Sequence, residues 1–319
     1  MMINNEGFQS TVGFLGLGKI GAKIARRISM TTPVLGYDVH PAHAADAAAC
    51  GIAIAGTVGE VARRANAVLL SLPSPEVVAE VVSGRAGLLC AESRPSLIID
   101  LSTTSPSASQ RLAEVCQSVG VMFLDAPLTG GMVGAEEGTF TAMVGGEVEA
   151  VRSAMPLLQL FCRRVVHVGP SGHGASVKLL HNMVGEIQVY AFAEAFALAA
   201  RLGLNLDRVF EVLCHGMATS RILTELYARG ALRGSLKPSA TVATAEKAQR
   251  LLLEMASASG VELFFTPLIY ARIKELIKRG HANDDVTTAL SLFEEQMGVT
   301  ARISDELAQL ATGKGETRA

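Results

Sequence analysis

Runs of lysine and arginine are absent from this sequence, and no aromatic residues are interleaved with basic ones. The 28 basic and 30 acidic side chains nearly cancel, leaving a net charge of −2. Neither nucleic acid nor an anionic membrane surface is therefore expected as a partner. No C-x-x-C pair occurs either: Cys50, Cys90, Cys116, Cys162 and Cys214 are scattered and odd in number. They read as buried thiols of a reducing compartment, not as a disulfide framework, and no metal site is expected. Residues 1–10 lack a basic segment followed by an apolar one, so no secretory leader is expected. The most apolar stretch, 187–200, is interrupted by Gln188 and Glu194 and reads as too short to span a membrane. The expectation is a cytoplasmic protein.

What is present is an ordinary globular composition, 49% hydrophobic and 18% charged, over 319 residues, enough for about two domains. From residue 11 to about 168, short apolar runs alternate with helical patterns. Strands are expected at 12–15, 34–37, 67–71, 97–100, 122–125, 141–144 and 165–168. Such alternation implies a parallel sheet with helices on both faces. After Gly169-Pro170-Ser171-Gly172 the strand-like runs nearly vanish. A long helix is expected from His173 or Gly174 to Leu202, followed by helices at 206–214, 222–229, 242–259, 266–279 and 285–297. The tail 311–319 is polar and expected to fray. The fold expected is α/β: a Rossmann-type doubly wound, mostly parallel sheet over 1–168. An all-α domain over 169–319 follows, joined to it by the long helix. The apolar later part of that helix suits a bundle interior or a subunit interface, so a homodimer or homotetramer is expected.

The first expected strand runs into Gly16-Leu17-Gly18-Lys19-Ile20-Gly21 and a helix, and the second closes on Asp38, 17 residues beyond Gly21. Each part suits a dinucleotide. Gly16 permits a tight turn, Gly18 lets backbone N–H groups approach the pyrophosphate, and Gly21 lets the helix pack close to the strand. Asp38 falls where ribose hydroxyls would arrive and would repel a 2′-phosphate. No arginine follows it in Tyr37-Asp38-Val39-His40, so NAD is expected over NADP. Strand, turn, helix and acid together make the motif specific.

In open α/β sheets ligands bind beyond the carboxyl ends of the strands. Three such ends carry polar or proline-rich loops: 71–75, 100–106 and 125–131. The long helix opens with Gly172-His173-Gly174-Ala175-Ser176-Val177-Lys178-Leu179-Leu180-His181-Asn182. Lys178, His181 and Asn182 share one face at helical spacing. The positive end of the helix dipole favours a neutral Lys178 amine, which suits proton transfer near neutral pH.

On these residues the chain resembles the β-hydroxyacid dehydrogenase family, of the 3-hydroxyisobutyrate dehydrogenase, tartronate semialdehyde reductase and L-threonate dehydrogenase types. GFLGLGKIG is similar to its N-terminal signature, IDLSTTSP to its nicotinamide-side loop, DAPLTGG to its substrate loop and GHGASVKLLHN to its catalytic motif. The resemblance implies a nicotinamide cofactor and reversible oxidation of a small β-hydroxyacid to a semialdehyde or keto acid. It makes Lys178 the general acid/base and Asn182 a substrate donor. Thr129, Gly130 and Gly131 would receive the substrate carboxylate. Thr103, with Ser102, would face the cofactor and substrate near the nicotinamide, Leu72 and Pro73 would line the cofactor's path, and Lys247 would close over the nicotinamide.

Departures from the family pattern bear on the substrate. Thr129 stands where serine is usual, and His181 replaces an asparagine, as in L-threonate dehydrogenase-like members, which points to a polyhydroxy acid. Ala240 and Ala248 replace a phenylalanine and an aspartate, implying a roomier pocket. Alternatives of other classes are an imine reductase-like enzyme, whose relatives usually lack this lysine, and a non-catalytic nucleotide-binding protein.

Overall fold

The computed structural model describes residues 11–307 except 236, 237 and 239. The leaderless start and the frayed tail expected from sequence lie outside these residues. The chain divides into two compact units, 1–179 and 180–319.

Among the described residues the first unit has nine strands, seven α-helices and a 3-10 turn at Leu88–Cys90. In chain order the strands and α-helices are β1 (Val12–Leu15), α1 (Gly21–Ser29), β2 (Val34–Tyr37), α2 (Pro41–Ala49), β3 (Ala53–Ile54), α3 (Val58–Arg64), β4 (Ala67–Leu70), α4 (Pro75–Ser83), β5 (Leu97–Asp100), α5 (Pro106–Ser118), β6 (Met122–Asp125), β7 (Leu128–Thr129), α6 (Gly131–Glu137), β8 (Phe140–Gly145), α7 (Val148–Leu158) and β9 (Cys162–Gly169). The sheet order is β3-β2-β1-β4-β5-β6-β8-β7, with β9 paired to β8. The first six strands run parallel in the Rossmann order, reversing direction of growth at β1. The sheet is not wholly parallel. β8 lies antiparallel to β6 and β7 because the chain turns back through the short β7–α6 excursion instead of crossing over. Two-residue strands such as β3 and β7 are too short to show alternation in sequence.

Alternation along β1 explains the two covered faces. Val12 and Phe14 enter one apolar cluster with Ile24 and Ile28 of α1, while Leu15 enters another with Val61 of α3 and Val78 of α4. Helix starts follow local chemistry. Ser74 and Ser105 each accept an N–H three residues on and are followed by Pro75 and Pro106, whose fixed φ suits a first helical position.

α8 (His173–Arg201) begins in the first unit and continues into the second. The second unit continues with α9 (Leu206–His215), a π-helical turn Ile222–Tyr227, α10 (Val242–Ala258), α11 (Phe265–Lys278) and α12 (Ala289–Met297). Its core gathers Val189, Phe192, Phe196 and Ala197 of α8 with Phe210, Leu223, Tyr227 and Ile273. Phe196 lies 6.3 Å from both Phe210 and Tyr227, and the Tyr227 hydroxyl donates to the Val189 carbonyl at 2.7 Å. Truncating a ring in such a position costs about 3–5 kcal/mol.

Two sequence expectations need correction here. α8 has 29 residues and an 18-residue window of mean hydropathy 1.3, so by length and composition it could cross a membrane. Part of that apolar surface, from Val189 to Ala197, supplies the core just described, while Leu180, Val184 and Leu198 are exposed. Among the cysteines only Cys116 and Cys162 are buried; Cys50 and Cys90 are exposed and Cys214 half-buried, all free thiols. Cys50 terminates α2 at the surface, where nothing covers it. Burial pushes the Cys116 and Cys162 thiols up to about 12.

Candidate active site

The dinucleotide loop connects β1 to α1. Gly16 adopts φ +93, and a Cβ there would stand 2.2 Å from the Ser71 carbonyl, so only glycine allows β1 to turn this close to β4. A Cβ on Gly21 would meet the Gly16 carbonyl at 2.0 Å, whereas one on Gly18 would meet nothing within 4 Å. The loop is thus tightly closed on the protein side and open at Gly18. α1 has no side-chain cap and no acid in its first turn, so its dipole is unopposed there, although the Ala22 N–H already donates to the Gly18 carbonyl at 3.0 Å.

Asp38, at the end of β2, holds the loop through its own hydrogen bonds. Its Oδ2 accepts the Leu17 N–H at 2.7 Å and its Oδ1 accepts the His40 N–H at 2.8 Å. His43 Nδ1 lies 3.3 Å from Oδ2, and the Asp38 side chain is only 7% exposed. The acid therefore ties the glycine loop to β2 and retains lone pairs for hydroxyl donors.

Beyond β4 and β5 the loops interlock. The Ser102 hydroxyl accepts the Leu72 N–H at 2.9 Å, while the Asp100 carboxylate accepts the Ser102 N–H at 2.9 Å. Ser102 is buried, Thr103 half-buried and Pro73 exposed, so Ser102 spans the two loops while Thr103 stands nearer the surface. Thr129 is half-buried at the end of β7, opposite Thr141, and Gly130 and Gly131 take φ values of 140 and 58 before α6 begins. That pair of positive-φ glycines presents backbone N–H groups at a helix start, a geometry that suits an anion without a charged side chain.

Sequence reasoning missed the function of Asp125. At the end of β6, it is 1% exposed, and its two oxygens accept the N–H groups of Gly172 and Ala175, each at 2.8 Å. A Cβ on Gly174 would meet the Met143 and Asp125 carbonyls at 2.4 and 2.5 Å. Gly174 thus lets the first turn of α8 seat on the ends of β6 and β8, while a Cβ on Gly172 would meet the Pro106 carbonyl of α5 at 2.8 Å. Burial pushes the Asp125 carboxyl up, against the opposing pull of its backbone donors. The signal was readable: an acid ending a strand, and a glycine-flanked helix start without an acidic residue of its own. Lys178 follows on this anchored turn, half-buried.

On the same helix His181 is exposed, its Nδ1 3.4 Å from the Asn182 side-chain oxygen. Asn182 is half-buried, and its carbonyl accepts from Gln249 Nε2 at 3.4 Å. Gln249 itself is 1% exposed, a buried amide on α10 that no sequence pattern singled out. Lys247 is half-buried on the same helix. Ala248 is buried at 2% exposure and Ala240 is exposed.

A Rossmann sheet with this glycine loop, acid and helix is the architecture of a dinucleotide-binding enzyme, and its similarity to known proteins makes it a nicotinamide-dependent oxidoreductase. Residues 11–169 match the NAD-binding domain of 6-phosphogluconate dehydrogenase, and residues 172–293 match the domain described as NAD-binding of NADP-dependent 3-hydroxyisobutyrate dehydrogenase. The chain is 33% identical over 258 residues to a probable 3-hydroxyisobutyrate dehydrogenase of Mycobacterium tuberculosis, covering 79% of this chain and 87% of that one. It is 29% identical to the 2-hydroxy-3-oxopropionate reductase of Escherichia coli, covering 79% and 86%. The solved Mycobacterium tuberculosis 3-hydroxyisobutyrate dehydrogenase with L-serine superposes with a TM-score of 0.81 at 30% identity, over 89% of this chain and 99% of that one. The chain belongs to the β-hydroxyacid dehydrogenase family, and is an oxidoreductase that acts on the CH–OH group of a small hydroxyacid.

Proposed function

We propose that this protein is an NAD-dependent dehydrogenase of a polyhydroxy β-hydroxyacid, with Lys178 as the general acid/base. The observation that carries the reading is the Asp125 anchor. One buried carboxylate fixes the start of the helix that bears Lys178 to the strand whose loop continues into Thr129, Gly130 and Gly131. Proton transfer and carboxylate binding are then parts of one rigid assembly, as positioning in catalysis requires.

In the oxidative direction Thr129 and the Gly130–Gly131 backbone hold the substrate carboxylate, and Asn182 donates to the reacting oxygen. The neutral Lys178 amine takes the hydroxyl proton as the C–H bond breaks, and returns it to the carbonyl oxygen in reduction. The bound nicotinamide supplies the hydride acceptor. Leu72, Pro73, Ser102, Thr103 and Lys247 are assigned to the surroundings of the cofactor and the reacting carbon. The loop Gly16, Leu17, Gly18, Lys19, Ile20 and Gly21 receives the pyrophosphate, and Asp38 the adenosine ribose. His181 in place of asparagine supports a polyhydroxy substrate, and a homodimer or homotetramer is the proposed assembly.

The test is Lys178→Ala. Turnover should fall by roughly 10²-fold or more with NADH affinity nearly unchanged. Retention of most activity on a confirmed hydroxyacid would overturn the assignment.

A further inference from the structure

α8 carries one side chain that this chemistry leaves unused. Glu186 follows Asn182 by four residues and Lys178 by eight, so the three share a stripe, with rises of about 6 and 12 Å along the axis. It is half-buried, and its carboxyl makes no hydrogen bond with any described residue. Its electrostatic neighbours are Asp285, Tyr190 and Tyr227. Asp285 is 2% exposed; its Oδ1 accepts from the Thr287 N–H at 3.0 Å and the Thr287 hydroxyl at 2.8 Å. Its Oδ2 lies 3.5 Å from the amide nitrogen of Ala240, an exposed residue. In the same turn the Thr288 hydroxyl is 1% exposed with no hydrogen-bond partner.

We propose that Glu186 determines substrate specificity. One turn beyond Asn182, it receives a hydroxyl at the far end of the hydroxyacid and so selects polyhydroxy acids over those with an apolar tail. The inference rests on the reading of Lys178 and Asn182 as the reacting end. A partly buried carboxyl without a partner among the described residues is costly, and a substrate hydroxyl relieves that cost where a methyl group cannot. Burial, reinforced by the Asp285 carboxylate, pushes Glu186 up to about 8. At neutral pH its carboxyl can therefore donate one hydrogen bond and accept others, which matches a hydroxyl in both roles.

The experiment compares kcat/KM for 2,3,4-trihydroxybutanoate and 3-hydroxyisobutyrate in the wild type, Glu186→Ala and Glu186→Gln, with thermal midpoints recorded for each. The wild type should favour the trihydroxy acid. Glu186→Ala should cut the ratio of the two efficiencies by about tenfold or more, through KM of the trihydroxy acid, while Glu186→Gln keeps most of it. An unchanged ratio in Glu186→Ala, or a wild type that prefers 3-hydroxyisobutyrate, overturns the inference and leaves the role of Lys178 standing. If Lys178→Ala retains turnover of both acids, the underlying reading fails and the inference falls with it.

Discussion

The Asp125 carboxylate joins β6 to α8 by accepting the Gly172 and Ala175 N–H groups, each at 2.8 Å. One oxygen serves each donor, so the helix is fixed in both rotation and height where it leaves the sheet. Aspartate is the one short side chain that can accept two such bonds and offset the helix dipole.

Asp125→Ala should strand two buried N–H groups, at about 1–3 kcal/mol each, and lower the thermal midpoint by several degrees. Asp125→Asn keeps the shape and one acceptor but turns an amide N–H2 towards the second donor, so its loss should be intermediate. If α8 is held for the sake of Lys178, kcat should fall in both variants more than dinucleotide affinity does. Thermal unfolding, NADH titration and steady-state rates decide it. A destabilised variant with unchanged kcat would make Asp125 a purely structural tie.

If Asp38 receives the ribose as proposed, it also sets cofactor choice; its Oδ2 holds the Leu17 N–H at 2.7 Å. A 2′-phosphate placed about 4 Å from this carboxylate is opposed by about 1–4 kcal/mol per pair of unit charges, between water and a typical protein-surface dielectric. The wild type should therefore prefer NAD to NADP by about tenfold or more in kcat/KM. Asp38→Asn should narrow that preference while weakening both cofactors, because the glycine loop loses its charged acceptor. Equal or better efficiency with NADP in the wild type would overturn this role for Asp38.

The main architecture was legible because its signals are periodic and local. β1, β2, β5 and β6 fall at the residues expected, and α8 begins at His173 as its glycine-flanked start implied. The glycine loop was legible for a steric reason, since Gly16 and Gly21 sit where a Cβ meets backbone at 2.2 and 2.0 Å. What escaped notice depends on partners remote in sequence. Asp125 reaches across 47 residues to Gly172, and Gln249 across 67 to Asn182. The antiparallel placement of β8 depends on β7, which has two residues and no pattern of its own. Cys50 and Cys90 were misjudged because exposure at a helix end or a loop is set by what packs over it, not by residue type.

Glu186 should also leave a signature in the dependence of stability on pH. Its folded carboxyl is pushed up to about 8, first by burial and then by Asp285, whereas an ordinary carboxyl titrates near 4.5. Between these values the folded protein holds a proton that the unfolded chain releases, so stability falls as pH rises through the window. Below about 4.5 the contribution is fully retained, and above about 8 no more is lost. The slope from this group is at most about 1.4 kcal/mol per pH unit. Glutamine cannot ionise, so Glu186→Gln should lack that slope, and the difference in thermal midpoint between variant and wild type should shift in the variant's favour from pH 5 to pH 8.5. Taking the difference removes the titration of all other carboxyls and histidines that the substitution leaves undisturbed. A difference that stays constant across the range would mean that Glu186 titrates as a solvated surface carboxyl. The carboxyl would then be too well hydrated to gain much from a substrate hydroxyl, and the specificity assigned to it would lose its physical basis.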